Sequence, residues 1–307
     1  VKNDWEDGAM KVLIIGGSGM IGSHAAAHLS ALGHEISVSA RVAKPDEVAP
    51  YPQVIGDYVA QSFTAAQLSR FDAIVFAAGQ DVRHKGAGQD DAEFWRAAQI
   101  EGVPALARLA RDAGVGRFVQ IGSYYHQVMP QLAGTSAYVR ARQLADENTR
   151  ALAAPGFNVA TLNPPSIVGT IPGPSTERYR GLVAWARGER PDIPDFAPAG
   201  GTNYMSAASL AEAIAGAIDN AESGHAYLIG DENLSYRDFF QRIFDAAGST
   251  RTLESRDEQH PMLPDNYIIH GRAVTLAYAA DESRRALGYR TGDITRAIGK
   301  IVARIDA

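Results

Sequence analysis

Lys11-Val12-Leu13-Ile14-Ile15-Gly16-Gly17-Ser18-Gly19-Met20-Ile21-Gly22 sets the fold of this chain. A short apolar run rich in β-branched residues stops at a glycine cluster, and an alanine-rich helical pattern follows at once. A strand, a glycine turn and a helix start in this order form the seat of a dinucleotide pyrophosphate. Glycines let the backbone turn tightly and approach the phosphates, and the last one lets helix and strand pack closely. The helix N-terminus offers free N–H groups and the positive end of its dipole to the anion. Two spacings fit: Gly16, Gly19 and Gly22 as G-x-x-G-x-x-G, or Gly17, Gly19 and Gly22 as G-x-G-x-x-G.

Outward from this turn, strand and helix patterns alternate. Val12–Ile15 reads as the first strand and Met20–Leu32 as a helix stopped by Gly33. Glu35–Ala40, Gln53–Gly56, Ala73–Ala78, Arg117–Ile121 and Asn158–Leu162 read as five more strands. Phe94–Ala113 and Ala137–Ala153 read as helices between them. Near-continuous apolar strands linked by helices imply a doubly wound α/β fold with a parallel sheet. Ligands of such sheets sit at the carboxyl ends of the strands.

After Leu162 the texture changes. Pro164, Pro165, Pro172, Pro174, Pro191, Pro194 and Pro198 crowd one segment and imply loops lining a pocket. Leu210–Asp219 reads as a helix and Ala226–Ile229 as a strand rejoining the sheet. Tyr236–Ala247 and Asp281–Leu287 are further helices of a smaller lobe. The implied division is a Rossmann domain of residues 10–163 plus about 203–230, and a substrate-binding lobe from about 164–202 and 231–305. Residues 1–9 read as an extension or expression remnant ahead of Met10.

The chain has 307 residues, 46% of them apolar, which suffices for one large domain or two small ones. A net charge of −6 argues against a nucleic-acid surface. No apolar run approaches the roughly 20 residues that span a bilayer, and no signal-peptide pattern stands near the start. Zero cysteines exclude disulfides and thiolate chemistry and suggest a cytoplasmic enzyme. His24 and His28 have helical spacing but no accompanying carboxylate motif, so no metal site is expected.

Five signals then stand in order: GGSGMIG after the first strand, FAAG at the fourth, IGS at the fifth, Tyr138-Val-Arg-Ala-Arg142 on a helix, and LNPPSIVG after the sixth. Together they resemble the extended short-chain dehydrogenase/reductase family of epimerases, dehydratases and dihydroflavonol-reductase-like enzymes, over roughly residues 10–300. The resemblance implies a nicotinamide dinucleotide along Gly16, Ser18, Gly19, Met20, Ile21 and Gly22. Asp57 would then approach the adenine, and Ala77, Ala78 and Gly79 would run beside the ribose. Pro164, Ser166 and Ile167 would pass the nicotinamide carboxamide. Asp57 read by itself is equally a turn residue after Gly56.

Many such folds place an acid at the end of the second strand for the ribose hydroxyls. This chain has Ser39-Ala40-Arg41 there, with Lys44 close behind. An arginine can take a 2′-phosphate bidentately, which favours NADP over NAD; the bland alternative is a solvated surface arginine.

By the same resemblance Tyr138 is the acid/base and Ser123 orients a substrate carbonyl. Arg142 stands where the family has a lysine, one helical turn after the tyrosine. That lysine stabilises tyrosinate and holds the nicotinamide ribose. A free tyrosine has a pKa near 10, so bringing it to about 7 takes roughly 4 kcal/mol. Arginine keeps the charge but is planar and bulkier, so the exchange is not neutral. It works as a substitute, marks a weakened site, or is a simple helix-face contact.

The run Tyr124-Tyr125-His126 follows Ser123 and either faces the pocket or packs the strand end. There Tyr124 could stack on an aromatic substrate and His126 could relay protons. His84 and Tyr204 complete the substrate candidates. Asn163 departs from an arginine common in the family, and Ser209 from an acid. The leading expectation is NADP-dependent reduction of a carbonyl on a small aromatic or hydrophobic substrate. The alternatives are an NAD-dependent nucleotide-sugar epimerase or dehydratase, with Arg178, Arg180, Arg187 and Arg190 on a diphosphate, and a non-catalytic dinucleotide sensor. A homodimer through Phe94–Ala113 and Ala137–Ala153 is expected from the family.

Overall fold

The computed structural model describes residues 8–43, 50–79, 90–172 and 174–307. Strand β1 (Lys11–Ile15) leads through the glycine turn into α1 (Met20–Ala31), then β2 (Glu35–Ala40), β3 (Gln53–Ile55), α2 (Ala65–Leu68) and β4 (Ala73–Phe76). Next come α3 (Asp91–Trp95), a π-helical segment (Arg96–Glu101) and α4 (Gly102–Asp112), end to end. They are followed by β5 (Arg117–Ile121), α5 (Tyr125–Val128), a 3-10 turn (Pro130–Gly134), α6 (Ala137–Arg150), β6 (Asn158–Asn163) and β7 (Ser166–Val168). The chain continues with α7 (Pro174–Ala186), β8 (Phe196–Pro198), β9 (Gly201–Ser206), α8 (Ala207–Asn220), β10 (Ala226–Leu228), β11 (Glu232–Ser235) and α9 (Tyr236–Ala246). Strand β12 (Glu254–Arg256), a second 3-10 turn (Asp265–Tyr267), α10 (Asp281–Leu287) and α11 (Ile294–Asp306) complete it.

Seven strands form one parallel sheet in the order β10-β6-β5-β4-β1-β2-β3. Alternate residues of β1 serve two different cores, which explains its unbroken apolar run. Val12 and Ile14 pack in a cluster with Ala25 and Leu29 of α1 and Leu210 and Ile214 of α8. Leu13 and Ile15 pack in the opposite cluster with Val103 and Leu106 of α4 and Phe76 and Phe118. The order reverses beside β1, so β1 and β4 flank the crevice where such sheets bind ligands.

The proline-rich stretch is less loop-like than its composition suggests. Helix α7 spans thirteen residues and starts at Pro174, where a missing N–H leaves no helical bond unmade. Its Trp185 is fully buried, edge-on to Phe240 (5.6 Å) and Phe244 (4.7 Å) of α9. Helix α11 adds Ile294, Ile298, Ile301 and Val302 to the same core, one face of a 3.6-residue period. Strand β9 lies outside the main sheet: it pairs β7 in parallel and β11 antiparallel in a separate three-stranded sheet. Among the described residues no helix is long and apolar enough to cross a membrane.

Candidate active site

The turn between β1 and α1 fixes which glycine does what. Gly16 has φ +83°, and a Cβ there would stand 2.8 Å from backbone atoms of Ala78 at the end of β4. A Cβ on Gly22 would overlap the Gly16 carbonyl. Gly17 backs onto Val38 instead. The Gly19 N–H donates to the Gly16 carbonyl at 2.9 Å, and helix α1 begins with Gly19 as its N-cap. The N-cap residue of this helix is a glycine without a side chain to cap it, whereas Ser136 caps α6 and Ser206 caps α8. The N-cap Gly19 brings no side chain to the first-turn N–H groups of α1, and Gly19 to Ile21 are at least partly exposed over them. That donor set, on a backbone stripped of Cβ atoms, fits a pyrophosphate.

Around the turn, Ser39 Oγ accepts the Gly16 N–H at 3.2 Å. Arg41 is exposed just beyond β2. Lys44 and His84 lie outside the described residues. Asp57 Oδ1 accepts the N–H groups of Val59 (2.8 Å) and Ala60 (3.3 Å), so this carboxylate holds its own turn. Ala77, Ala78 and Gly79 are half-buried at the end of β4.

Helix α6 carries Tyr138 and, one turn on, Arg142. Arg142 is buried. Its Nη2 donates to the carbonyls of Ile121 (2.9 Å) and Gly122, the two residues ahead of Ser123. Its Nη1 donates to Gln99 Oε1 at 3.3 Å and lies 2.9 Å from where a Gly79 Cβ would stand. Its Nε is buried without a hydrogen-bond partner among the described residues. Gln99 is fully buried in the π-helical segment, whose extra residue per turn sets the face it presents.

Ser123 is gripped from the other side as well. Its N–H donates to Asn163 Oδ1 at 2.9 Å. Asn163 Nδ2 in turn donates to Gln127 Oε1 (2.9 Å) and Asp146 Oδ2 (3.2 Å). Asp146, two turns after Tyr138, also meets His126 Nε2 at 2.9 Å and Arg150 Nε at 2.5 Å. Burial raises the Asp146 pKa, but hydrogen bonds from His126 and Arg150 outweigh it and hold the carboxyl below its ordinary value. The His126 ring thus turns toward Asp146, behind the Ser123 turn.

An aromatic wall surrounds Tyr138. Its ring lies 5.2 Å from Trp95 and 6.3 Å from Tyr125, and Tyr125 packs 4.3 Å from Tyr124. Tyr124 is buried, bonded through its hydroxyl to Thr202 Oγ1 at 2.8 Å, and desolvation pushes its pKa up to about 12. It is a fixed neutral phenol. Tyr204 is buried in the core shared by α7, α9 and α11, stacked 4.2 Å from Phe239. Pro164 is buried with its carbonyl accepting the Tyr124 N–H at 3.3 Å, and Ser166 and Ile167 are half-buried in β7.

Near Ser209, Ser206 Oγ meets a carboxylate from a distant segment, Asp293 Oδ2, at 2.8 Å. Gln99, Trp95 and Asp146 escape the sequence reading. Asp146 alone left a signal there: it sits at the eighth place after Tyr138, on the same helix face. Among the described residues no group of three or more His, Asp or Glu is placed to hold a metal.

No curated protein sequence matches the chain. Solved structures share its architecture. The crystal structure of gox2253 superposes with a TM-score of 0.76 at 18% identity, covering 96% of this chain and 97% of that one. The UDP-N-acetylglucosamine 4-epimerase from Bacillus cereus gives 0.73 at 13% identity, covering 97% and 100%. A UDP-glucose-4-epimerase from Stenotrophomonas maltophila, solved with NAD and a formylated UDP-arabinopyranose, gives 0.71 at 21%, covering 97% and 99%. The model of the NAD dependent epimerase/dehydratase family matches residues 12–230. With a glycine turn shaped for a pyrophosphate and the family pattern running through β10, the chain belongs to the NAD dependent epimerase/dehydratase family.

Proposed function

We propose that the protein catalyses an epimerisation or dehydration of a hydroxyl-bearing small molecule of the sugar-nucleotide class, with hydride removed from and returned to the same substrate. The observation that carries this reading is the clamp around Ser123. Arg142 holds the carbonyls ahead of it, and Tyr138 stands one turn from Arg142 on the same helix. When bound, the nicotinamide supplies hydride chemistry. Tyr138 exchanges the proton at the reacting substrate oxygen, and the Ser123 hydroxyl hydrogen-bonds that oxygen. Arg142 positions the Ser123 turn and places a positive charge near Tyr138; its Nη donors already meet the chain's own acceptors. Arg180, Arg187 and Arg190 are ion-paired with Glu177, Asp306 and Asp192. Arg178 is therefore the better candidate of the four for a substrate diphosphate.

The test is incubation with nucleoside-diphosphate sugars and substoichiometric NAD, followed by product NMR. A stereoisomer or dehydrated sugar without net NADH formation is expected. Tyr138→Phe should lower turnover about 10²–10⁴-fold with cofactor affinity unchanged. Full activity in that variant would remove Tyr138 from the reaction.

A second reading, NADP-dependent carbonyl reduction, is favoured by Arg41 exposed beyond β2 where an acid for the ribose is missing. Stoichiometric NADPH consumption with a carbonyl substrate would establish it. The proposal also includes a homodimer, measured by light scattering, and a cytoplasmic setting.

A further inference from the structure

Helix α11 carries three cations at four-residue spacing: Arg296, Lys300 and Arg304. Its opposite face is buried in the small-lobe core, so this stripe is held toward α1. Between the two helices lies a cavity of about 330 Å³. Lys300 and Arg304 line it from α11, His24 and Ala27 from α1, and Ile171 and Ala207 from the segments after β7 and β9. None of the residues assigned above to the dinucleotide, nor Ser123, Tyr138 or Arg142, lines it.

The charge inside is unbalanced. Among the described residues on its wall the one acid, Asp293, is already engaged by Arg296 and by Ser206. His24 Nε2 and Arg304 Nη1 share the Thr170 carbonyl, each at 3.3 Å, which fixes both groups against the same edge. Burial and the nearby charges of Arg304 and Lys300 hold the His24 ring toward its neutral form. Lys300 and Arg304, exposed one turn apart on α11, put two positive charges on the same side of the recess, and a dianion seated there would meet both. The remaining wall is mostly apolar, with the hydroxyl residues Ser23, Thr170 and Ser206 among Ala27, Val168, Ile171 and Ala207, and 330 Å³ is at the small end of ligand pockets.

We propose that this cavity binds a small organic phosphate, its anion between Lys300 and Arg304 beside His24, and its apolar part against Ala27 and Ala207. The site lies on the seam between α1 of the sheet domain and α11 of the small lobe, so an occupant bridges the two.

The experiment is calorimetric titration of the full chain, first saturated with NADH, using phenyl phosphate and inorganic phosphate as probes. Saturable binding is expected, tighter for phenyl phosphate. The K300Q/R304Q variant should weaken it at least tenfold while NADH affinity stays within twofold. Ala27→Trp, which fills the recess and keeps every charge, should abolish it. Absence of saturable heat, or equal binding by both variants, overturns the site. Tighter binding of inorganic phosphate overturns the organic assignment. Failure of NADH to bind would count against the dinucleotide reading alone, since the phosphate titrations are judged against the two variants with or without it.

Discussion

Asn163 Oδ1 accepts the Ser123 N–H at 2.9 Å, tying the last residue of β6 to the turn after β5. Arg142 holds the carbonyls just ahead of the same serine. The turn is thus fixed at its donor and at its acceptors, by side chains from β6 and α6. Replacing Asn163 by Ala leaves the Ser123 N–H without its acceptor and takes one donor from Asp146. Denaturant unfolding should show a loss of about 2–3 kcal/mol. Turnover should fall further than stability predicts, because Ser123 is left free to move; unchanged turnover in the folded variant would separate Asn163 from the reaction.

Asp146 makes stability depend on acid. Its carboxyl titrates lower in the folded protein than its ordinary value of 3.8. Below that value the unfolded chain binds more protons than the folded one. The contribution is therefore present above about pH 4 and lost as pH falls through the folded value. Asp146→Asn should cost about 2–4 kcal/mol near neutrality, and its unfolding free energy should fall less steeply below pH 4 than that of the parent. Parallel acid limbs would contradict the pairing with His126 and Arg150.

Gly16 combines φ +83° with a direct approach to Ala78. Gly16→Ala adds strain in the left-handed region, about 1–2 kcal/mol, and pushes β4 away from the turn. Dinucleotide affinity, read by NADH fluorescence, should drop more than tenfold, with a lower thermal midpoint. Gly33→Ala, also at positive φ but with open space around it, should shift the midpoint and leave affinity within twofold.

On the NADP reading, Arg41, exposed beyond β2, would meet only the far end of the cofactor. Arg41→Ala should weaken NADPH about tenfold or more, as expected for losing a charge-assisted contact to phosphate. NADH affinity should stay within twofold. Equal losses for the two cofactors would mean that Arg41 supports the loop instead of a 2′-phosphate.

The main sheet was legible because its strands are buried on both faces. Glu35–Ala40 and Arg117–Ile121 have the bounds that their residue patterns give. The three-stranded sheet was not. Ser166–Val168 is too short to display alternation, and Gly201–Ser206 is buried throughout, so neither shows a period of two. The π-helical segment escaped for another reason. Its extra residue is set by tertiary fit, with Gly102 against Tyr58 and Gln99 against Arg142, and no local propensity encodes that. In the candidate site, Tyr138, Arg142 and Ser123 were named through the family resemblance, and the geometry adds how Arg142 holds the turn that carries Ser123. The direction of His126 depended on Asp146, a partner twenty residues away, and only the folded geometry couples them.

Strand β10 pairs with β6 at the edge of the sheet, yet the chain from Asn163 to Ala226 builds α7, β9 and α8 in between. During synthesis at about 5–20 residues per second, the ribosome leaves the β6 edge bare for several seconds. A bare edge is a template for any passing strand. Nascent chains from which β10 has not yet emerged are therefore the vulnerable species, and a pause in translation after β10 has left the ribosome would be better tolerated than one before.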